Sequence, residues 1–216
     1  MRMIKNILFD MGGVIFRQNT AEAFRRFREA GIDADYYMGE YGQKDFFLDV
    51  ETGKIDAEEF CRRMASASGC ESVSWEKAQY CWLGFIRDVP VERLHHLLEL
   101  KEHYHLCLLS NTNPFIMDFT RSQRFSSDGK PISFYFDSLF CSYEMGAYKP
   151  NPDIFQQALN RDGMKAEETL FVDDSLKNIL AAEAVGIKGL HVKQNADWWE
   201  DLNVLLGKQS SKTLGI

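Results

Sequence analysis

The sequence lacks several features that would have narrowed its function at once. No run of apolar residues approaches the roughly 18 that a membrane-spanning helix needs. Basic residues are also in the minority, since 25 Lys and Arg face 32 Asp and Glu and leave a formal net charge of −7. The five cysteines form neither a CxxC pair nor a Cys/His metal-binding pattern. We therefore expect no membrane partner, no nucleic-acid partner and reduced thiols in a cytoplasmic protein.

What remains is the composition of an ordinary globular protein. The 216 residues are 45% hydrophobic and 26% charged, which is enough apolar material for one large domain or a domain with an insert. The first residues weakly resemble a signal peptide, but Asp10 interrupts the apolar stretch and no small-residue cleavage site follows. We interpret this stretch as a buried first strand.

Short apolar runs alternate with helical patterns along most of the chain. The runs that predict strands are 7–9, 106–109, 170–172 and 189–192, with a weaker one at 138–141. Their apolarity is continuous rather than alternating, which indicates strands covered on both faces. Helical periodicity is clear over 91–100, 153–160 and 176–185. The fold class predicted is α/β, with a Rossmann-like parallel sheet at its core.

Residues 17–89 break this alternation, because they contain no convincing strand. Helical patterns are seen over 20–30, 44–51, 56–67 and 74–85. An insert of about 70 residues is far longer than a usual βα connection of about 2–6 residues. We predict a catalytic core of residues 1–16 and 90–216 and a helical cap subdomain of residues 17–89, with Trp75 and Trp82 in the packing of the cap. Residues 121–137 are expected to be an exposed excursion.

Polar residues follow the predicted strands at the edge where ligands bind in open α/β sheets. Asp10 ends the first strand, Ser110 ends the second, Lys149 follows the weaker strand, and Asp173 and Asp174 follow the next. Three clustered carboxylates repel one another, and a Mg²⁺ ion with its preference for oxygen ligands would relieve that repulsion. A carboxylate can also attack phosphorus, while a hydroxyl and an ammonium hold phosphoryl oxygens. The set therefore predicts metal-assisted phosphoryl chemistry.

Four ordered motifs resemble those of the haloacid dehalogenase-like hydrolases. They are ILFDMGGV at 7–14, LSNT at 109–112, YKP at 148–150 and FVDDSLKN at 171–178. The helical insert after the first motif is similar to the small helical cap of that family. Within the family the chain looks most like the α-D-glucose-1-phosphate phosphatase branch and the phosphatase domain of epoxide hydrolases.

The resemblance implies a nucleophile and a set of metal ligands. Asp10 would be the nucleophile and a ligand of Mg²⁺. Gly12 would contribute its backbone carbonyl to the ion. Asp174 would be a direct ligand, and Asp173 would act directly or through water.

The resemblance also implies phosphoryl-binding and supporting residues. Ser110 and Lys149 would bind the phosphoryl group and so count as catalytic together with the nucleophile. Asn111 would bind substrate or support the site, and Asn178 would support it.

One position departs from the family pattern. Most phosphatases of the family carry a second Asp two residues after the nucleophile, which protonates the leaving group and activates water. Here that residue is Gly12, which has no side chain for either task. Positioned acid–base catalysis contributes about 10²–10⁴-fold, so we expect slower turnover unless another group or the substrate supplies the proton.

The cap is expected to select the substrate. Glu51 or Lys54 could reach the crevice from the end of a cap helix, although an ordinary helix end with solvated charges is the simpler interpretation.

The function predicted is a Mg²⁺-dependent phosphatase that hydrolyses a small phosphorylated metabolite, favouring a sugar phosphate, through an aspartyl-phosphate on Asp10. Two alternatives stay open, a 2-haloacid dehalogenase and a non-catalytic phosphate sensor permitted by Gly12. The protein is expected to be a monomer or a homodimer.

Overall fold

A computed structural model describes residues 3–39 and 43–207 of the chain. Parts of both predicted regions, residues 1–2 and 208–216 of the core and 40–42 of the cap, lie outside the described residues. The centre of the structure is a five-stranded parallel sheet in the order β5-β4-β1-β6-β7. Its strands are β1 (Asn6–Phe9), β4 (His105–Ser110), β5 (Ser138–Cys141), β6 (Thr169–Asp173) and β7 (Lys188–His191). The predicted α/β fold with a parallel sheet is confirmed.

Both faces of the sheet are covered, which explains the continuous apolar runs. Leu8 is aligned with Cys107 and Phe171 on the neighbouring strands, and all three side chains are buried in the core on one face. Ile7 and Phe9 point the other way and belong to the larger core on the opposite face. Successive side chains of a strand alternate between the two faces of the sheet, so a strand that is buried on both faces is apolar at nearly every position.

Eleven helices are found among the described residues. Those predicted from periodicity are α1 (Thr20–Glu29), α3 (Asp45–Glu51), α4 (Ala57–Ser68), α5 (Trp75–Trp82), α6 (Val91–Lys101), α9 (Pro152–Arg161) and α10 (Leu176–Ala184). Four were not predicted, namely α2 (Ala34–Met38), α7 (Pro114–Thr120), α8 (Ser142–Met145) and α11 (Trp199–Leu205). Each of these four is at most two turns long, which is too short for a helical period to stand out. None of the helices in the described ranges has the length and apolar composition needed to cross a membrane.

The helical region begins and ends in a two-stranded ribbon. β2 (Arg17–Gln18) pairs antiparallel with β3 (Ile86–Asp88), with Arg17 aligned to Asp88. The expectation of no strand over residues 17–89 is therefore wrong at both ends of that range. Strands of two and three residues carry no alternating pattern that the sequence could display. The division into core and cap at these positions stays a prediction.

Aromatic side chains fill the interior of the helical region. Ring centroids of Phe27 and Phe47 are 5.1 Å apart, and those of Phe47 and Trp82 are 5.4 Å apart. Phe60 adds a further contact at 5.7 Å from Trp82. These spacings are those of favourable tilted and edge-to-face aromatic pairs. The cluster holds α3 and α5 against each other, and both helices reach the edge of the sheet.

The segment over residues 121–137 is not simply exposed. Phe125, Ile132, Tyr135 and Phe136 are all buried in the larger core. The expectation of an exposed excursion is wrong for these side chains. The turn-forming Ser126-Ser127-Asp128-Gly129 run hides the fact that apolar residues flank it on both sides.

Candidate active site

Polar residues lie at the carboxyl ends of three neighbouring strands of the sheet. β1, β4 and β6 are aligned in parallel register, so Asp10, Ser110 and Asp173 stand beside one another at their ends. The Asp10 backbone N–H donates to the Val172 carbonyl at 2.9 Å, which extends the ladder one residue past β1. Asp174 follows directly and faces the same crevice.

Lys149 joins two of these carboxylates. Its Nζ lies 2.7 Å from Asp10 Oδ1 and 2.7 Å from Asp173 Oδ2, and only 1% of its side chain is exposed. Asn111 fixes the backbone of Lys149, because its side-chain amide donates to the Lys149 carbonyl at 2.9 Å and accepts from the Lys149 N–H at 2.8 Å. Burial opposes the charge of Lys149, but the two carboxylates outweigh it and raise the pKa of the ammonium. The lysine is therefore a fixed positive charge.

Asp173 is fully buried and its oxygens are occupied by the protein. Besides Lys149, its carboxylate accepts from the Ser175 N–H at 2.7 Å and from Asn178 Nδ2 at 3.1 and 3.2 Å. Asn178 lines the crevice and is oriented by this contact. Asp173 thus orients Lys149 and Asn178 from beneath the crevice.

Asp10 and Asp174 have less compensation for their charges. Burial raises the pKa of Asp10 to about 7, with the charges of Asp173 and Asp174 adding to the rise and Lys149 opposing it. Burial and then the charge of Asp173 raise the pKa of Asp174 to about 6. One ammonium for three carboxylates leaves an excess of negative charge at the end of the sheet.

This donor set fits a hard divalent cation. Mg²⁺ is bound in proteins by one or two carboxylates together with other oxygens, and Asp10, Asp174 and the Gly12 carbonyl supply such oxygens. Among the residues that the structure describes, no hydrogen-bond donor is directed at the Gly12 carbonyl. Gly13 allows the loop to pass close by, since it has φ of +81° and a Cβ there would lie 2.4 Å from Asp174 Oδ2. The pKa values of Asp10 and Asp174 are raised mainly by burial and further by the neighbouring carboxylates, and a bound cation would favour the ionised form of both groups.

The crevice is a cavity of about 190 Å³ between the sheet edge and the helical region. Asp10, Ser110, Lys149 and Asp174 form its floor. Its volume is smaller than the 300–1,000 Å³ of most drug-sized ligand sites, which favours a small metabolite.

Glu51 enters this cavity from the end of α3. The residue is 5% exposed, and its carboxylate accepts from the Tyr148 hydroxyl at 3.2 Å and from Asn113 Nδ2 at 3.4 Å. Ser142 Oγ donates to the Glu51 carbonyl and fixes the helix end. Burial raises the pKa of Glu51 to about 7. The simpler interpretation of a solvated helix end therefore does not describe Glu51.

Lys54, the other cap candidate, is not brought into the cavity. Its side chain is 67% exposed, and Nζ lies 3.7 Å from Asp49 Oδ1. The turn after α3 directs it to solvent, as the simpler interpretation expects.

Three residues that line the cavity carry a buried polar atom without a hydrogen-bond partner among residues 3–39 and 43–207. These atoms are Gln43 Oε1, Trp82 Nε1 and Thr112 Oγ1. Buried polar atoms are nearly always paired in folded proteins, and each unpaired one costs roughly 1–3 kcal/mol. A bound ligand with hydroxyl groups can therefore donate to the amide oxygen, accept from the indole N–H and pair with the hydroxyl.

The sequence reasoning missed these three residues and also Gln18, which lines the same cavity. Thr112 had a usable signal, because it ends the second motif directly after Asn111. Gln43 and Gln18 had no such signal, and the pattern around Trp82 favours packing within the cap over a stacking surface. Their position depends on how the helical region lies over the strand ends.

Comparison with known proteins agrees with this geometry. A model of the haloacid dehalogenase-like hydrolase family matches residues 4–186. A D-ribitol-5-phosphate phosphatase of Bacteroides thetaiotaomicron is 40% identical over 205 residues, which cover 94% of this chain and 99% of that protein. A sesquiterpene phosphatase of Aspergillus oryzae is 27% identical, with 94% and 97% covered.

Solved structures show the same similarity. A predicted hydrolase of this family from Porphyromonas gingivalis superposes with a TM-score of 0.90 at 36% identity, covering 96% of this chain and 100% of that one. A family enzyme from Bacteroides thetaiotaomicron, solved in complex with magnesium and inorganic phosphate, has a TM-score of 0.83 at 31% identity. That comparison covers 91% of this chain and 98% of the other.

Proposed function

Because the chain belongs to the haloacid dehalogenase-like hydrolases and is a phosphatase, we propose that it hydrolyses a small hydroxylated phosphate monoester through an aspartyl-phosphate on Asp10, with Mg²⁺ as its cofactor. The observation that carries the proposal is the floor of the cavity. Asp10 lies there next to the ammonium of Lys149 and close enough to the carboxylate of Asp174 for their charges to interact. Ser110 lines the same floor. This is the arrangement of a nucleophile next to groups that hold a phosphoryl unit.

The chemistry proceeds in two displacements. A carboxylate oxygen of Asp10 forms a bond to phosphorus, and the bond from phosphorus to the ester oxygen breaks with release of the alcohol. Water then attacks the aspartyl-phosphate, so that inorganic phosphate leaves and the carboxylate returns. Ser110 donates its hydroxyl and Lys149 its ammonium to the phosphoryl oxygens as their charge shifts.

Mg²⁺, when bound, offsets the negative charge of the carboxylates and the phosphoryl group. We assign its ligands to Asp10, Asp174 and the Gly12 carbonyl. Asp173 acts on the site through its contacts with Lys149 and Asn178.

The cavity wall supports a substrate with several hydroxyl groups. The unpaired atoms of Gln43, Trp82 and Thr112 can accept from or donate to hydroxyls, and the buried carboxylate of Glu51 is a strong acceptor. A sugar or sugar-alcohol phosphate has the hydroxyls to satisfy them within a small volume. The relative that acts on D-ribitol 5-phosphate points to the same class of substrate.

The test is phosphate release from a panel of sugar and sugar-alcohol phosphates, measured with Mg²⁺ and with EDTA. We expect activity only with Mg²⁺ and loss of it in Asp10→Asn, whereas Asp153→Asn on the exposed surface of α9 retains it. Full activity of Asp10→Asn, or equal activity in EDTA, refutes the mechanism.

A second measurement addresses the substrate class. Thr112→Val removes one unpaired hydroxyl with little change of shape, and Trp82→Phe removes the unpaired indole N–H together with part of the buried ring, so its melting temperature is measured alongside. A net hydrogen bond of about 0.5–1.5 kcal/mol corresponds to a loss of about 2- to 10-fold in preference for a pentitol phosphate over propyl phosphate. Unchanged preference in both variants contradicts the hydroxylated substrate but leaves the phosphatase mechanism standing.

The two alternative functions predict different results in the same assays. A 2-haloacid dehalogenase would release halide from 2-chloropropionate without Mg²⁺, and its attack on carbon needs no cluster of acids. A phosphate sensor would bind phosphate or BeF₃⁻ and turn over no ester of the panel.

A further inference from the structure

The space beside the Gly12 backbone is filled by the side chain of Gln18. A Cβ placed on Gly12 would lie 2.0 Å from Gln18 Nε2 and 3.0 Å from its Cδ. Real Cβ atoms do not approach another heavy atom so closely, so a larger residue at position 12 requires the end of the Gln18 side chain to move from its present place. The absence of a side chain at Gly12 therefore leaves no empty space, because the side-chain amide of Gln18 from β2 occupies it.

Gln18 is held firmly in this position. It ends β2, and Asn195 binds its backbone on both sides, accepting from its N–H at 2.7 Å and donating to its carbonyl at 3.1 Å. Its side-chain oxygen accepts from Gln194 Nε2 at 3.0 Å. With Oε1 occupied, the amide N–H₂ group is the part of Gln18 that lies against Gly12.

Gln194, which hydrogen-bonds to this amide, lies near the charged floor of the cavity. A Cβ placed on Gly13 would lie 3.0 Å from Gln194 Cγ and 2.4 Å from Asp174 Oδ2, so both side chains border the same glycine. Gln18 lines the cavity, and no acceptor for its Nε2 is found within residues 3–39 and 43–207.

We propose that Gln18 is a substrate-contacting residue whose amide takes the place of a side chain at position 12 and donates a hydrogen bond to the ester oxygen of the substrate. This inference rests on the proposed function, since it assigns a role in the displacement at phosphorus. An amide N–H can stabilise negative charge that develops on the departing oxygen, but it cannot transfer a proton at neutral pH.

The chemical consequence is a particular dependence on the leaving group. When the bond from phosphorus to the ester oxygen breaks, its electron pair stays on that oxygen, and the proton must come from water. Esters of more acidic alcohols are therefore hydrolysed faster, and Gln18 moderates this difference by hydrogen-bonding to the oxygen that becomes charged.

The first experiment compares wild type with Gln18→Ala on phosphate esters whose leaving groups span a range of acidity. Loss of a hydrogen bond to a charged oxygen predicts a decrease in kcat of roughly 10- to 100-fold for the poorest leaving groups and little for the best, with KM nearly unchanged. Gln156→Ala, an exposed glutamine on α9, is the matched control and should follow wild type. An equal loss for all esters gives Gln18 a structural role only and overturns the proposal.

The second experiment is a double-mutant cycle of Gly12→Asp and Gln18→Ala. Gly12→Asp alone should lower both the melting temperature and kcat, because Gln18 occupies the space of the new side chain. The double variant should regain the melting temperature and acquire a titrating limb in its pH profile, since a carboxyl replaces the amide. If Gly12→Asp has the same effect in both backgrounds, the two residues do not share the space and the proposal fails.

Failure of the underlying function is recognised separately. If wild type hydrolyses no ester with Mg²⁺ present, the proposed function is wrong. The melting temperatures of the cycle would still show whether Gln18 and position 12 compete for one space.

Discussion

The nucleophile proposed for this protein should destabilise it whenever metal is absent. Asp10 is buried beside two other carboxylates, and its pKa is raised to about 7 from an ordinary value of 3.8. A carboxyl whose pKa is higher in the folded state binds its proton more tightly there, so the free energy of unfolding falls as the pH rises from about 4 to about 7. The cost is fully present above pH 7.

The size of this cost follows from the two pKa values. At 1.36 kcal/mol per pKa unit, the difference between about 7 and 3.8 is worth about 4 kcal/mol. Asp10→Asn keeps the shape and an oxygen for Lys149 but removes the charge. We expect this variant, in EDTA at pH 8, to be more stable than wild type by up to about 4 kcal/mol, or roughly 8–16 °C in melting temperature.

Urea denaturation in EDTA at pH 5 and pH 8 measures the effect. Wild type should lose stability between the two pH values, whereas Asp10→Asn should lose less, and saturating Mg²⁺ should narrow the gap by stabilising wild type more. Asp153→Asn controls for removal of an exposed carboxylate and should lower stability by no more than about 1 kcal/mol, because Asp153 lies in the first turn of α9. If Asp10→Asn is no more stable than wild type in EDTA at pH 8, the electrostatic account of the site is wrong.

Three further substitutions test other parts of the site. Lys149→Met leaves two carboxylates without their buried partner and should lower the free energy of unfolding by about 3–5 kcal/mol at pH 8, with a smaller loss at pH 5, as seen by urea denaturation. Glu51→Gln should make the protein more stable at pH 8 by up to about 3 kcal/mol, because burial raises the pKa of Glu51 from 4.5 to about 7 and the gain should vanish near pH 4. Gly13→Ala should cost about 1–2 kcal/mol in backbone strain and weaken Mg²⁺ binding in calorimetry, since its Cβ would collide with Asp174; unchanged Mg²⁺ affinity would contradict this.

The floor of the site was predictable because it depends on strands alone. Continuous apolar runs identified each central strand, and parallel strands place their last residues at one edge. Asp10, Ser110 and Asp173 therefore had to come together once the sheet was inferred. Lys149 follows an edge strand, and its convergence on the same point depended on the order of the motifs.

The wall of the site was not predictable, because it depends on tertiary packing. Trp82 has the pattern of a packed helix residue, and only its place in the aromatic cluster brings it to the border of the cavity with its indole N–H unpaired among the described residues. Gln18 lies in a strand of two residues, which shows no periodicity. Glu51 looks like any charged residue at a helix end until Ser142 and Tyr148 draw that end into the interior.

The ribbon of β2 and β3 also bears on how such proteins diversify. Arg17 and Asp88 are cross-strand neighbours whose side chains meet at 3.3 Å, so the chain leaves the sheet-bearing part and returns to it at almost the same point. Segments whose ends adjoin can be exchanged for one another when the replacement covers the same core. Residues 19–85 are therefore exchangeable for a relative's counterpart that keeps the contacts of Phe60 and Trp75 with Phe115, while Gln18 stays in place. Substrate preference would then be transferred with residues 19–85, while the residues at the strand ends that carry out the reaction stay unchanged.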